Sequence, residues 1–146
     1  MQALKEVEAA KELMREAANW SVMRWLSEKK RVRRAADVAN DALDAAERKV
    51  KATWREDVET AYAKLRSGEK VAVKDPRLLE AVKAIKKADD EAYQAHLEAE
   101  DIFDRAEKRL STAMAREGTR KAIASWELHE RAIELAEGVQ TRRPVS

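Results

Sequence analysis

The chain of 146 residues contains no cysteine, three glycines and two prolines. Without cysteine, disulfide bonds, thiolate metal sites and cysteine nucleophiles are excluded. Because glycine and proline are the residues that most often punctuate helices, their scarcity leaves few places for the chain to turn. The apolar runs are a few residues long, far short of the roughly 20 needed to span a bilayer. The charged start Met1–Glu8 also lacks the apolar stretch of a signal peptide. We therefore expect a soluble, cytoplasmic protein that does not bind membranes.

Alanine and charged residues are what the chain does contain. There are 28 alanines, while Leu, Ile, Val and Phe together number 27. Thirty basic residues nearly balance 28 acidic ones, so the net charge is only +2. Such a composition is typical of long helices and coiled coils. The near-zero net charge argues against a general polyanion binder, and the length favours a single helical domain over residues 1–138.

The first half of the chain carries one continuous helical pattern. No glycine or proline occurs between Ala3 and Arg66, and apolar residues recur at steps of three and four. This predicts a helix over about residues 2–66, ended by Ser67-Gly68. Asn19-Trp20-Ser21 combines weak helix formers with capping residues. The pattern leaves two alternatives open, a continuous helix or a break at 19–21.

The second half begins with a strong helix signal, Asp75-Pro76, which places a capping aspartate before a proline at the first helical position. From Leu78 to Ala113 a heptad seam follows, and Asp89 and His96 are its polar members. Gly118-Thr119 predicts a stop followed by a new start. We therefore expect helices over residues 76–117 and 119–137, with a flexible tail over residues 139–146.

The two halves are nearly equal in length, so the sequence predicts an all-α fold, a long antiparallel helical hairpin that turns near residue 72. The seams are coiled-coil-like and rich in alanine, and shorter terminal helices complete a three- or four-helix bundle. This register brings Trp20, Trp25 and Trp126 to the open end of the hairpin. Such a cluster is either part of the core or, if exposed, an interface anchor.

The residues needed for catalysis or for metal binding are sparse. A di-metal bundle requires Glu-x-x-His, but Tyr93 and Trp126 stand three residues before His96 and His129. The pairs His96–Glu100 and His129–Glu130 make at most a weak site. No serine lies in an activating motif, and no glycine-rich phosphate loop occurs. We expect no catalytic residues, no cofactor and no metal.

The charged residues are unevenly distributed. One basic group surrounds residues 24–34 and a second surrounds residues 105–121, and the predicted hairpin places them at the same level. We call the two groups together the basic collar; its members are Arg24, Lys29, Lys30, Arg31, Arg33, Arg34, Arg105, Lys108, Arg109, Arg116, Arg120 and Lys121. By contrast, the acidic belt from Asp89 to Asp104 holds seven acids and no lysine or arginine. The collar could track phosphates, dock on an acidic protein or on the belt of a second copy, or simply be solvated.

These patterns favour a non-enzymatic scaffold, adaptor or assembly subunit that acts through protein–protein contacts. The expected partner is a second copy in a homodimer, another protein, or both. The alternative is a nucleic-acid-associated or regulatory protein that uses the basic collar, although no recognition motif accompanies it. A metal-binding or enzymatic bundle is the third hypothesis.

Overall fold

The computed structural model describes residues 3–72 and 75–140, and this part of the chain contains six α-helices and no strand. The helices are α1 (Lys5–Ala17), α2 (Val22–Ser27), α3 (Lys29–Lys51), α4 (Glu56–Ser67), α5 (Pro76–Arg109) and α6 (Thr112–Gln140). They hold 86% of the described residues, which confirms the all-α class. The predicted helix start at residue 2 and the tail residues 141–146 lie outside the described ranges.

The first half of the chain is four helices, so of the two alternatives the break at 19–21 is correct and the continuous helix over residues 2–66 is wrong. The chain leaves the helical conformation between Ala17 and Val22, where Ser21 Oγ caps α2 by accepting from the Arg24 amide at 3.2 Å. Glu28 alone separates α2 from α3. Because the chain reverses at residues 18–21, α1 packs back on α3 instead of extending it.

A further break, which the apolar pattern does not indicate, separates α3 from α4 at residues 52–55. The last turn of α3 tightens there, since the Thr53 amide bonds to Val50 O and the Trp54 amide to Lys51 O, both at 3.1 Å. Trp54 then turns inward and donates its indole N–H to Ala136 O at 3.0 Å. Burial of this large ring against α6 is incompatible with a straight continuation of α3.

The connection from α4 to α5 has the predicted chemistry. Gly68 adopts the left-handed conformation (φ 80°) at the end of α4, and the Glu69 amide bonds back to Lys64 O. At the start of α5, Asp75 Oδ1 accepts from the Arg77 amide at 2.9 Å, and Pro76 occupies the first helical position. Both ends therefore satisfy backbone groups that a helix leaves unpaired.

The second half of the chain breaks at Leu110–Ser111. The predicted helix 76–117 therefore begins at the correct residue but ends too late, and both bounds of the predicted helix 119–137 are wrong. Leu110 takes the left-handed conformation (φ 51°), and Ser111 Oγ accepts from the Met114 amide at 3.2 Å. Gly118 lies inside α6, where a Cβ would be 2.5 Å from Phe103 Cε1. The glycine therefore permits close approach of α5 and α6 and does not end a helix. Val139, assigned to the tail, is buried in α6.

The longest helix–helix contact joins α5 and α6, which run antiparallel from the turn at residues 110–111. The hairpin turn near residue 72, predicted to organise the whole chain, joins only α4 to α5. Helix α1 packs on α3 and α6, and α3 also packs on α6. Within the described residues, no helix is both long enough and apolar enough to cross a membrane.

The core consists of two hydrophobic clusters. The larger one lies among α1, α2, α3, α5 and α6 and contains Trp20, Trp25 and Trp126. The smaller one joins α4 to the start of α5 and the end of α6 and contains Trp54. Val50 packs against both clusters. The stretch of α3 around Val50 is therefore where the two clusters meet.

Candidate functional site

The structure brings the two groups of the basic collar to one end of the molecule. The Val22 amide donates to Thr112 Oγ1 at 3.0 Å, which ties α2 to the start of α6. Lys29 Nζ lies 2.7 Å from Glu107 Oε2, which ties the start of α3 to the end of α5. This contact lowers the pKa of the Glu107 carboxyl. Residues 24–34 and 105–121 therefore form one surface, although the turn that produces it differs from the predicted one.

Half of the collar is paired within the chain. Arg116 donates to Trp20 O at 3.1 Å and to Asn19 O at 3.4 Å, so it ties α6 to the connection between α1 and α2. The other intramolecular pairs are Lys29–Glu107, Arg31–Glu28, Arg24–Glu16, Arg105–Asp101 and Lys121–Glu98. Among the residues that the structure describes, six collar cations make neither an ion pair nor a side-chain hydrogen bond: Lys30, Arg33, Arg34, Lys108, Arg109 and Arg120. These six cations are available to a partner.

The acidic belt is mostly neutralised by its own chain. Six of its seven acids face a cation or histidine, in the pairs Asp89–Lys51, Asp90–Lys86, Glu91–Lys87, Glu98–Lys121, Glu100–His96 and Asp101–Arg105. The belt also exposes two large apolar side chains, Tyr93 and Leu97, one helical turn apart on α5. This face is therefore less acidic than the sequence indicates, and it is partly apolar.

The three tryptophans singled out from the sequence belong to the same buried cluster. Trp20, Trp25 and Trp126 are 3%, 2% and 2% exposed, so none of them is a surface anchor. Trp25 stacks on Phe103 with ring centroids 5.0 Å apart. Trp126 donates its indole N–H to Asn40 Oδ1 at 2.8 Å.

A cavity of about 380 Å³ opens between α3, α5 and α6 beside this aromatic cluster. Trp25, Phe103 and Trp126 form its apolar wall, and Arg33 and His96 lie on its polar side. His96 Nε2 pairs with Glu100 at 3.1 Å. The polar seam residues Asp89 and His96 are therefore in different surroundings, since Asp89 belongs to the cluster described next.

A cluster of titratable side chains lies near the junction of the two hydrophobic clusters. It contains Glu47 and Lys51 from α3, Tyr62 from α4, Asp89 from α5 and His129 from α6. We call these five residues the polar junction. Tyr62 donates its hydroxyl to Asp89 Oδ2. Lys51 Nζ lies 3.4 Å from the same oxygen and 3.5 Å from Glu47 Oε1. The ammonium also lies 4.2 Å from the centre of the Tyr62 ring. One lysine thus faces two carboxylates and a ring.

The electrostatics of the polar junction shift the pKa values of its two carboxyl groups in opposite directions. Burial raises the pKa of Glu47, but His129, Asp89 and Lys51 outweigh burial and lower it to about 2. Burial and the facing Glu47 raise the pKa of Asp89 to about 6, against the opposing effect of Tyr62 and Lys51. Near neutral pH, Glu47 is firmly ionised, whereas Asp89 takes up a proton in mild acid.

The pKa values of His129 and Tyr62 are both raised. Burial lowers the pKa of His129, but the carboxylates of Glu47, Asp44 and Asp89 outweigh burial and raise it. Burial and Asp89 raise the pKa of Tyr62 well above its ordinary value, so its hydroxyl remains a donor. Glu47, Asp89 and His129 each offer a metal-ligand atom, and these atoms lie within 4.8 Å of one another.

Sequence reasoning missed most of this cluster. It paired His129 with Glu130, but Glu130 instead binds the buried Lys11 of α1. Asp89 was identified as a polar seam residue, yet its partners come from helices whose mutual register the sequence does not reveal. The nearest signal is the Glu47–Lys51 pair, which has the spacing of an ordinary surface ion pair.

Comparison of the chain with models of protein families, with curated proteins and with solved structures finds no match.

Proposed function

We propose that the protein is a non-enzymatic helical scaffold or adaptor that binds an acidic surface of another protein through its basic collar. The observation that carries this proposal is the exposure of two large apolar side chains at the collar, Met23 at 63% and Leu110 at 59%. The Val22–Thr112 hydrogen bond holds both at the same end of the molecule. A surface of free cations around exposed apolar side chains combines the two elements of a protein interface, an apolar centre and a charged rim.

A nucleic-acid ligand explains only part of this surface. The unpaired cations suit phosphates, and such binding depends strongly on salt. Met23 and Leu110, however, offer nothing to a phosphate backbone. An acidic protein partner uses both the cations and the apolar side chains, and we therefore favour it.

The helical arrangement supports the role of a platform. We take α1, α3, α5 and α6 as a four-helix bundle whose α5–α6 hairpin is its longest pair. The seam of α5 is coiled-coil-like and rich in alanine, since Ala88, Ala92, Ala95, Ala99 and Ala106 are all buried. Small side chains let helices approach closely. A rigid platform of this kind suits an adaptor.

Self-association is a further part of the proposal. Tyr93 is 61% and Leu97 39% exposed on one face of α5. Because the belt acids are mostly paired within the chain, we place a homodimer contact on this apolar pair and leave the collar free for another protein. Light scattering is expected to show a dimer at micromolar concentration, largely insensitive to salt. A mass of 16.6 kDa throughout that range contradicts this part.

The test of the collar compares matched variants in affinity capture from the native source. Leu110→Asn removes the apolar side chain but tolerates the left-handed conformation, and the pair Lys108→Glu and Arg109→Glu reverses the charge. Both are expected to lose the captured protein, while Lys83→Glu, exposed on α5 outside the collar, keeps it. If the captured material is instead nuclease-sensitive and Leu110→Asn retains it, the nucleic-acid alternative is correct.

A further inference from the structure

The polar junction has the composition and spacing of a metal site, although it was expected to hold none. We propose that Glu47, Asp89 and His129 bind one divalent transition-metal ion of the zinc type, with Tyr62 and Lys51 as outer partners. This site is independent of the basic collar. It also differs from the two histidine–glutamate pairs considered from the sequence.

The geometry places three ligands around one point. Each comes from a different helix, α3, α5 or α6, so an ion here would join three elements of the fold. His129 Nε2 and Glu47 Oε1 are 3.4 Å apart, which matches the separation of about 3.4 Å between two ligands of a tetrahedral zinc ion. All three ligand atoms lie within 4.8 Å.

Two atoms of the polar junction lack a hydrogen-bond partner, and this is the second observation. Among the described residues, Glu47 Oε2 and His129 Nε2 are buried side-chain atoms with no hydrogen bond, and the contact of His129 Nε2 with Glu47 Oε1 at 3.4 Å is an ion-pair contact only. Buried polar atoms are normally satisfied, and each exception calls for an explanation such as an ion. Two such atoms on facing ligand residues are both satisfied by one cation.

The surrounding residues have the roles of outer partners. Tyr62 donates to Asp89 Oδ2, which leaves Asp89 Oδ1 directed elsewhere and orients the carboxylate, as partners of metal ligands do. When no metal is bound, Lys51 supplies the positive charge that balances the carboxylates of Glu47 and Asp89. Its side chain is 22% exposed, so the ammonium can turn to solvent when an ion enters. Lys51 therefore competes with the metal, and so does a proton on His129, which must leave before the imidazole can bind an ion.

The donor set selects the class of ion. One imidazole nitrogen and two carboxylate oxygens suit zinc and neighbouring divalent metals, whereas magnesium and calcium prefer oxygen alone. The chain has no cysteine, so soft ions such as copper(I) find no thiolate here. Three protein ligands leave a fourth position for water or another small ligand.

The first experiment titrates the full chain with zinc chloride by calorimetry, with magnesium chloride as comparison. One zinc ion per chain is expected, with no measurable magnesium binding, and His129→Gln is expected to weaken zinc binding at least tenfold. The matched control is His96→Gln, which removes the other histidine and its partner contact with Glu100 and should leave the affinity unchanged. Equal zinc binding by wild type and His129→Gln, loss of binding in His96→Gln, or no binding by the wild type overturns the proposal.

A second pair of measurements does not depend on the folding of the ligand variants. Cobalt(II) bound to the wild-type chain is expected to give the visible absorption of a four- or five-coordinate site, and zinc should displace it. Lys51→Met, which keeps the length of the side chain and removes its charge, is expected to bind zinc at least tenfold more tightly. A cobalt spectrum of hexa-aqua type, or weaker zinc binding by Lys51→Met, shows that the polar junction is a self-neutralised network without a metal.

Discussion

Gly118 of α6 lies directly against the ring of Phe103 of α5, and a Cβ at position 118 would be 2.5 Å from Phe103 Cε1. The ring cannot easily retreat, because its other face stacks on Trp25 at 5.0 Å. The two longest helices can therefore approach closely at this point only because residue 118 has no side chain.

Gly118→Ala is expected to destabilise the protein by about 1–3 kcal/mol, the usual cost of overpacking a core, even though alanine is the better helix former by about 1 kcal/mol. Gly138→Ala is the matched control on the same helix, since nothing lies within 4 Å of its added Cβ. The control should gain up to about 1 kcal/mol from propensity alone. Urea unfolding of the two variants checks the contrast, and a gain in both would show that α5 and α6 do not approach closely at Phe103.

Trp126→Ala is expected to cost about 3–5 kcal/mol, the range for deletion of a large core aromatic. The side chain is 2% exposed and also loses its bond to Asn40 Oδ1. Tyr93→Ala, at a site 61% exposed, should change stability by less than about 0.5 kcal/mol. Thermal and chemical unfolding of both variants provide the measurement, carried out at protein concentrations where the chain is monomeric.

Leu110→Gly is expected to stabilise the chain by about 0.5–1 kcal/mol, because a left-handed backbone costs a leucine but not a glycine. Little is lost in burial, since Leu110 is 59% exposed. Leu97→Gly, at a helical position 39% exposed, should instead lose about 1 kcal/mol. Opposite signs in the two unfolding curves verify the turn at residues 110–111. If both variants lose stability, the turn lies elsewhere.

The Glu107 carboxyl is expected to titrate below its usual pKa, because Lys29 lies 2.7 Å away and binds the ionised form. A lowered pKa in the folded state means that ionisation favours folding above the ordinary pKa, and this contribution disappears as the pH falls through the folded pKa. Carboxyl-carbon NMR follows the titration, and Lys29→Met should raise the midpoint towards the ordinary value, although Arg33 continues to lower it. A midpoint that Lys29→Met does not move shows that the two side chains do not pair in solution.

How far the sequence predicts the fold depends on the kind of signal. The all-α class and the α4–α5 connection follow from local chemistry at Gly68, Asp75 and Pro76, where the backbone needs those residues. Trp54 and Leu110 mislead because both are apolar and continue a helical pattern, while one turns inward to reach α6 and the other adopts φ 51°. Gly118 misleads in the opposite direction. In the sequence the glycine predicts the end of a helix, but in the structure it lies inside α6 and makes room for Phe103.

The two candidate sites also differ in how far the sequence predicts them. The basic collar is visible from the sequence because each of its two groups is contiguous, and an error in the turn does not separate them. The polar junction is invisible because its members lie on four helices and are separated by up to 82 residues, from Glu47 to His129. Pairing His129 with Glu47, and Tyr62 with Asp89, requires the relative register of those helices, which arises only from packing.

Helix α4 makes its main helix–helix contact with α5 alone, whereas α1, α3 and α6 each pack on several neighbours. Segments with few tertiary contacts are the first to open in native-state hydrogen exchange. We therefore expect amide protons of Glu56–Ser67 to exchange through a sub-global opening that leaves the larger hydrophobic cluster intact. Because this segment carries Tyr62, each opening removes the donor to Asp89 and admits solvent to that carboxylate. The fold thus gives its buried charges intermittent access to water without global unfolding.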